Sequence, residues 1–172
     1  HRLEFADAAK LIVEARDLAK AAESALTPHP PVLYAGFLQD AQKEYAEASL
    51  TFDIITQDRL RSHEDLDLDA AVYLNGLGEA AGELRRYVLD RLRQGKVEEC
   101  GRVLGEMEDI YGLLVTIDYP DGLTRGLRRT TDMVRGVLER TRGVRARRGR
   151  TRRGWWAPSC LLRWSWRRRE CL

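Results

Sequence analysis

Apolar positions recur near helical spacing through most of the chain. From His1 to about Leu26, the residues Leu3, Ala6, Leu11, Val13, Leu18, Ala22 and Leu26 alternate with charges in the manner of an amphipathic helix. Thr27-Pro28-His29-Pro30-Pro31 stops it, because proline removes a backbone donor and turns its predecessor away from the helical region. A second helix is predicted from Val32 to about Thr56, with Leu33, Phe37, Ala41, Tyr45, Ala48, Phe52 and Ile55 on one face and Pro31 suited to its first turn. The polar interval from Gln57 to Asp65 reads as a loop, in which His63 is an exposed histidine rather than a ligand or base.

Asp67 or Asp69 caps a third helix, which runs through Tyr73, Leu74, Leu77, Leu84, Val88 and Leu92 to a stop at Gln94-Gly95. A fourth covers about Val97 to Ile117, with Val103, Leu104, Met107, Ile110, Tyr111 and Leu114 inward and an acidic, solvated outer face. Asp118-Tyr119-Pro120-Asp121-Gly122 is a turn, and a fifth helix follows from about Leu123 to Thr141, ended by Arg142-Gly143. Nothing reads as a strand. The expected fold is all-α, an antiparallel bundle of long helices joined by short turns.

Composition divides this pattern in two. Of the 172 residues 44% are hydrophobic, enough for one domain with a core, and no apolar run approaches the roughly 18 residues that span a bilayer. A membrane partner is therefore not expected, and a cytoplasmic location is the default without a signal-peptide pattern. The net charge of +2 conceals ten arginines between Val144 and Leu172, against Glu170 alone, and a body of about −7. All four tryptophans and two of the three cysteines lie in that segment too. A helical domain over residues 1–143 and an Arg/Trp-rich, disordered tail over 144–172 follow. Cys100, Cys160 and Cys171 have neither metal-ligand spacing nor a disulfide framework.

Candidate chemistry sits in two glutamate pairs. Glu44 and Glu47 (i, i+3) share one helix face, as do Glu79 and Glu83 (i, i+4), so four carboxylates could converge. Like charges at these spacings each weaken a helix by a few tenths of a kcal/mol, which a hard cation would offset. Either pair alone is as ordinary as any solvated face. Gly76, Gly78 and Gly82 lie beside the second pair, and each costs roughly 1 kcal/mol relative to alanine, so close approach by a neighbouring helix or a ligand is expected there.

Ordered signatures give the pairs their context. Gln42-Lys43-Glu44-Tyr45-Ala46-Glu47-Ala48 resembles the Q-E-Y-x-E-A signature of the translin/TRAX family, with one residue inserted after the glutamine. Tyr73-Leu74-Asn75-Gly76 with Gly78-Glu79-Ala80-Ala81-Gly82-Glu83-Leu84-Arg85-Arg86 resembles the TRAX stretch Y-L-x-G-x-x-D-x-x-G-E-L-x-R. The segments Tyr119-Pro120-Asp121-Gly122-Leu123-Thr124-Arg125-Gly126-Leu127-Arg128-Arg129 and Val134-Arg135-Gly136-Val137-Leu138-Glu139-Arg140-Thr141-Arg142-Gly143 are similar to translin's F-P-D-x-[VL]-x-x-G-L-R and A-R-G-V-L-E-K-T-R-G. The matches keep their order from about residue 1 to 143. They are most like a prokaryotic, archaeal-type member.

That resemblance implies a translin-like helical fold and a TRAX-like, metal-dependent RNA endonuclease inside an octamer-like homo-oligomeric shell. The alternative it leaves open is a translin-like protein that binds RNA or single-stranded nucleic acid without cutting it. Carried over residue by residue, Glu44, Glu47 and Glu83 match the catalytic metal ligands, and Glu79 stands where the family has aspartate. Oxygen donors without His or Cys select Mg²⁺ or Mn²⁺, which neutralise phosphate charge and orient an attacking water. Lys43, Arg85 and Arg86 are weaker candidates for holding RNA phosphates, since basic residues beside helix glutamates are commonly plain ion pairs. At the start, His1-Arg2 resembles the end of a family helix that would precede this chain, and the start itself reads as that of a fragment. The segment after Gly143 has a composition closer to shifted-frame translation of GC-rich DNA than to an RNA-binding tail.

Overall fold

A computed structural model describes residues 2–56 and 59–153. His1 and residues 154–172, on which part of the expected tail and of the N-terminal match falls, lie outside the described residues. The element order is α1 (Arg2–Leu26), α2 (Pro30–Leu33), α3 (Phe37–Thr56), α4 (His63–Leu66), α5 (Ala70–Arg93), α6 (Val97–Val115), α7 (Asp121–Thr124) and α8 (Leu127–Arg153). Among the described residues there is no strand. The molecule is an all-α bundle in which α5 packs against α3, α6 and α8, and α1 lies on the outside of α3.

Helix α5 occupies the centre because three of its faces are apolar or small. Leu77, Leu84 and Val88 meet Leu50 of α3, Val103, Met107 and Leu114 of α6, and Leu127 and Val134 of α8 in one cluster of buried side chains. Burying each leucine contributes roughly 1.5–3 kcal/mol. The Asp69 carboxylate accepts from the Ala71 N–H at 2.8 Å and caps the helix. At the other end Gly95 turns the chain away at φ +81°.

The glycines of α5 divide. A Cβ at Gly76 would stand 2.6 Å from the Ala46 Cβ and 2.8 Å from the Lys43 carbonyl oxygen, so α3 and α5 approach backbone to backbone there. At Gly78 a Cβ would collide with the Thr130 side-chain methyl. Gly82 faces open space, which corrects the expectation of a close neighbour at that position.

Other departures have physical causes. The predicted second helix is broken into α2 and α3 by Gly36, whose φ of +104° resets the helical phase. The buried face of α3 is consequently Leu38, Gln42, Tyr45, Ala46, Ser49, Leu50, Asp53 and Ile54, while Phe37 is 78% exposed and Ala41 and Ala48 are exposed. On α1, Phe5, Ala8, Ile12, Ala15, Ala19, Ala22 and Leu26 form the half-buried stripe, and Leu11 and Leu18 face outward. The polar interval contains α4, whose Ser62 and Asp65 form a reciprocal capping box. Gly143 does not end α8, which continues to Arg153: alanine and arginine are good helix formers, and Val144-Arg145-Ala146-Arg147-Arg148 holds neither proline nor glycine.

Two polar clusters tie the bundle together. Arg61 grips Asp53 through Nε (2.9 Å) and Nη2 (2.8 Å), its own N–H donates to the same carboxylate at 3.2 Å, and Asp53 is 3% exposed. The Tyr73 hydroxyl donates to the Arg61 carbonyl at 2.9 Å, which fastens the returning chain to α5. Buried Asn75 donates to the carbonyls of Ala71 and Thr124, both at 2.8 Å, and accepts from the Thr130 hydroxyl at 2.6 Å. One amide thus joins α5, α7 and the first turn of α8.

Candidate functional site

The contact at Gly76 sets the site. Lys43 and Glu47, one turn apart on α3, stand against Gly76 through their backbone atoms, and Glu79 and Glu83 follow Gly76 by one and two turns on the same face of α5. The two glutamate pairs are therefore brought to adjoining faces. Glu47 is half-buried and Glu44 is exposed. Burial pushes the Glu47 carboxyl above the ordinary carboxylate range, and the negative charges of Glu79, Glu83 and Glu44 push it further, with Lys43 opposing.

Cations occupy part of this field. Lys43 Nζ lies 2.8 Å from Glu79 Oε1, a hydrogen bond that holds its ammonium pKa above the usual lysine value. Arg86 lies 2.8 Å from Glu83 Oε1, one turn away on the same helix. Arg85 turns instead toward Thr141 of α8, at 3.5 Å. Among the described residues no three His, Cys, Asp or Glu side chains are gathered tightly enough, as placed, to hold a metal ion. The donor chemistry nevertheless suits a hard cation, since all four acidic groups offer only oxygen. The ion pairs engage Oε1 of Glu79 and Oε1 of Glu83, so Lys43 and Arg86 compete with a cation for these two carboxylates.

Beside the carboxylates opens a cleft of about 430 Å³, with Lys43 and Glu79 in one wall and Arg125, Arg129 and Thr130 in the other. Neither Arg125 nor Arg129 was singled out by periodicity or spacing. Both lie in the Tyr119–Arg129 stretch, and that stretch was the available signal.

The backbone arrangement has counterparts among solved structures. An AfC3PO structure is 31% identical, with a TM-score of 0.70 over 89% of this chain and 76% of that one. The chain belongs to the translin/TRAX family. A second AfC3PO structure, a complex with duplex RNA, is 27% identical over 89% of this chain and 91% of that one, with a TM-score of 0.71. An apo-NeC3PO structure has a TM-score of 0.74 at 28% identity, covering 84% and 75% of the two chains. An uncharacterized protein of Methanocaldococcus jannaschii is 35% identical over 111 residues, 64% of this translin/TRAX chain. The chain spans 50% of the length of that relative. No protein-family model matches it. No helix among the described residues is long and apolar enough to cross a membrane.

Proposed function

We propose that this chain is a TRAX-like, metal-dependent RNA endonuclease that works within a homo-oligomeric helical shell. One observation carries the proposal: the half-buried Glu47 carboxyl is held among three other carboxylates on two helices. A fold that needed only helix packing would gain by placing a neutral residue there, because burial and like charge both oppose the ionised form. Likeness to an AfC3PO structure in complex with duplex RNA supports RNA as the substrate class. Glu44, Glu47, Glu79 and Glu83 would hold Mg²⁺ or Mn²⁺, which supplies charge neutralisation at the phosphate and an activated water. The chain's own part is to present oxygen donors from two helices fixed at Gly76. Lys43 and Arg86 stand in for the cation and keep the carboxylates apart until it binds.

Glu47→Gln with Glu83→Gln should abolish Mg²⁺-dependent cleavage of a labelled RNA, a fall of at least about 1,000-fold, while the far-UV circular dichroism is unchanged. Mg²⁺ should also raise the melting temperature of the unsubstituted chain and not that of the double variant. Saturation of a real site at a hundred times its Kd is worth about 2.7 kcal/mol. Full cleavage by the double variant would sink the assignment.

The ion pairs of Lys43 with Glu79 and Arg86 with Glu83 favour a second function, a translin-like binder of RNA or single-stranded nucleic acid that cuts nothing. RNA binding in EDTA with no metal-dependent thermal shift would select it.

A further inference from the structure

Arg125 and Arg129 differ from most arginines of the bundle. Arg16, Arg59, Arg61, Arg86, Arg91, Arg93, Arg128, Arg135 and Arg142 all lie within ion-pair distance of a carboxylate. Arg125 and Arg129 have no such partner among the described residues, yet both line the same cleft. Arg125 is held there at φ +54°, in the left-handed region that an arginine occupies only at a cost of roughly 1 kcal/mol or more. The turn that imposes this is anchored from below, because Asn75 binds the Thr124 carbonyl and the Thr130 hydroxyl on either side of it. Asp40 and Glu79 are the acids of the cleft wall, and Glu79 is already matched by Lys43. The surplus charge is positive, and the volume of about 430 Å³ falls in the range of ligand-binding clefts, roughly 300–1,000 Å³.

We propose that this cleft is a phosphate subsite, in which Arg125 and Arg129 hold a phosphodiester of RNA next to the one presented to the carboxylates. The two arginines supply planar donor forks that match phosphate oxygens. Glu79 and Lys43 belong to both the cleft and the carboxylate cluster, so a strand gripped here lies directly against Glu79. The subsite rests on RNA being the substrate, as proposed above, but not on cleavage.

The test is binding of a fluorescent single-stranded RNA to the full chain in EDTA, across a series of salt concentrations. Arg125→Gln with Arg129→Gln should weaken binding at least about tenfold at moderate salt. It should also lower the slope of log K against log salt by about 1.4, or 0.7 for each lost phosphate contact on a single strand. Arg125→Lys with Arg129→Lys should keep most of the slope. Arg128→Gln with Arg135→Gln removes equal charge from ion-paired arginines outside the cleft and should change the slope much less. A control pair as damaging as the cleft pair would reduce the effect to bulk charge and overturn the subsite. Unchanged affinity and slope in the cleft variant, with tight binding by the unsubstituted chain, would overturn it too while leaving the nuclease proposal standing. No RNA binding by the unsubstituted chain in EDTA would overturn the subsite and leave the nuclease proposal to the Mg²⁺-dependent cleavage assay.

Discussion

Asp53 and Glu47 lie under two turns apart on α3 and live in opposite surroundings. Asp53 is buried, and its carboxylate accepts from the Arg61 guanidinium and from the Arg61 N–H. Glu47 is half-buried beside Glu44, Glu79 and Glu83, which oppose its ionisation. One carboxylate is paired by the fold, and the other is set among like charges. The difference separates two fates of a carboxylate along a single helix: a paired buried charge fastens a chain reversal, and one set among like charges carries a cost that protonation, the nearby Lys43 or a bound cation would relieve.

The sharpest way to break this comparison is to remove the satisfied charge. Asp53→Ala strands the Arg61 guanidinium and N–H, and with Arg61 partly exposed the expected loss is about 2–4 kcal/mol, read as a lower denaturation midpoint. A loss below about 0.5 kcal/mol would mean that the clamp is ornamental. Next in size is the contact that brings the unsatisfied charges together. Gly76→Ala drives a methyl into the Ala46 Cβ and the Lys43 carbonyl and should cost about 1–3 kcal/mol, whereas Gly82→Ala on the same helix should stabilise by up to about 1 kcal/mol. Equal effects at the two glycines would deny α3 and α5 their close approach.

The smallest effect has the most informative sign. Glu47 has a folded pKa raised above 4.5, so the stability linked to its protonated form is present below that value and is lost as pH rises through the raised one. Glu47→Gln should therefore stabilise the chain slightly at neutral pH, where the carboxylate is opposed by burial and by its acidic neighbours, even as it removes the cleavage proposed above. Unfolding midpoints compared between pH 4.5 and 7 should show the variant's advantage growing with pH. A destabilised variant at pH 7 would make Glu47 a structural residue like Asp53.

The bundle was legible in the sequence wherever an apolar stripe ran between clear stops. Asp69 and Gln94-Gly95 bound α5 as expected, and Val103, Leu104, Met107, Ile110 and Leu114 of α6 are buried as periodicity predicts, although Tyr111 is only half-buried and buried Cys100 lay outside the predicted set. On α3 the stripe misled, because its buried face carries Gln42, Ser49 and Asp53, and polar residues do not register in a hydrophobic pattern even where, as for Asp53, a partner farther along the chain satisfies them. The same blindness hid Asn75 and the Asp53–Arg61 clamp, whose partners are 49 and 8 residues away. Glu44, Glu47, Glu79 and Glu83 were legible only through the ordered family signatures. Arg125 and Arg129 lie in one of those signatures too, but the role proposed for them depends on a turn geometry and a missing counter-charge, and neither is visible in one dimension.

Gly76 also limits how this protein can diverge. A larger residue in a helix interface is usually rescued by a smaller one opposite, and position 46 could shrink from alanine to glycine. The Lys43 carbonyl oxygen, however, stands 2.8 Å from the same Cβ position, and no substitution removes a main-chain atom. Position 76 therefore has no second-site suppressor within α3. A lineage that loses this glycine must move a whole helix, and with it the separation of the two glutamate pairs.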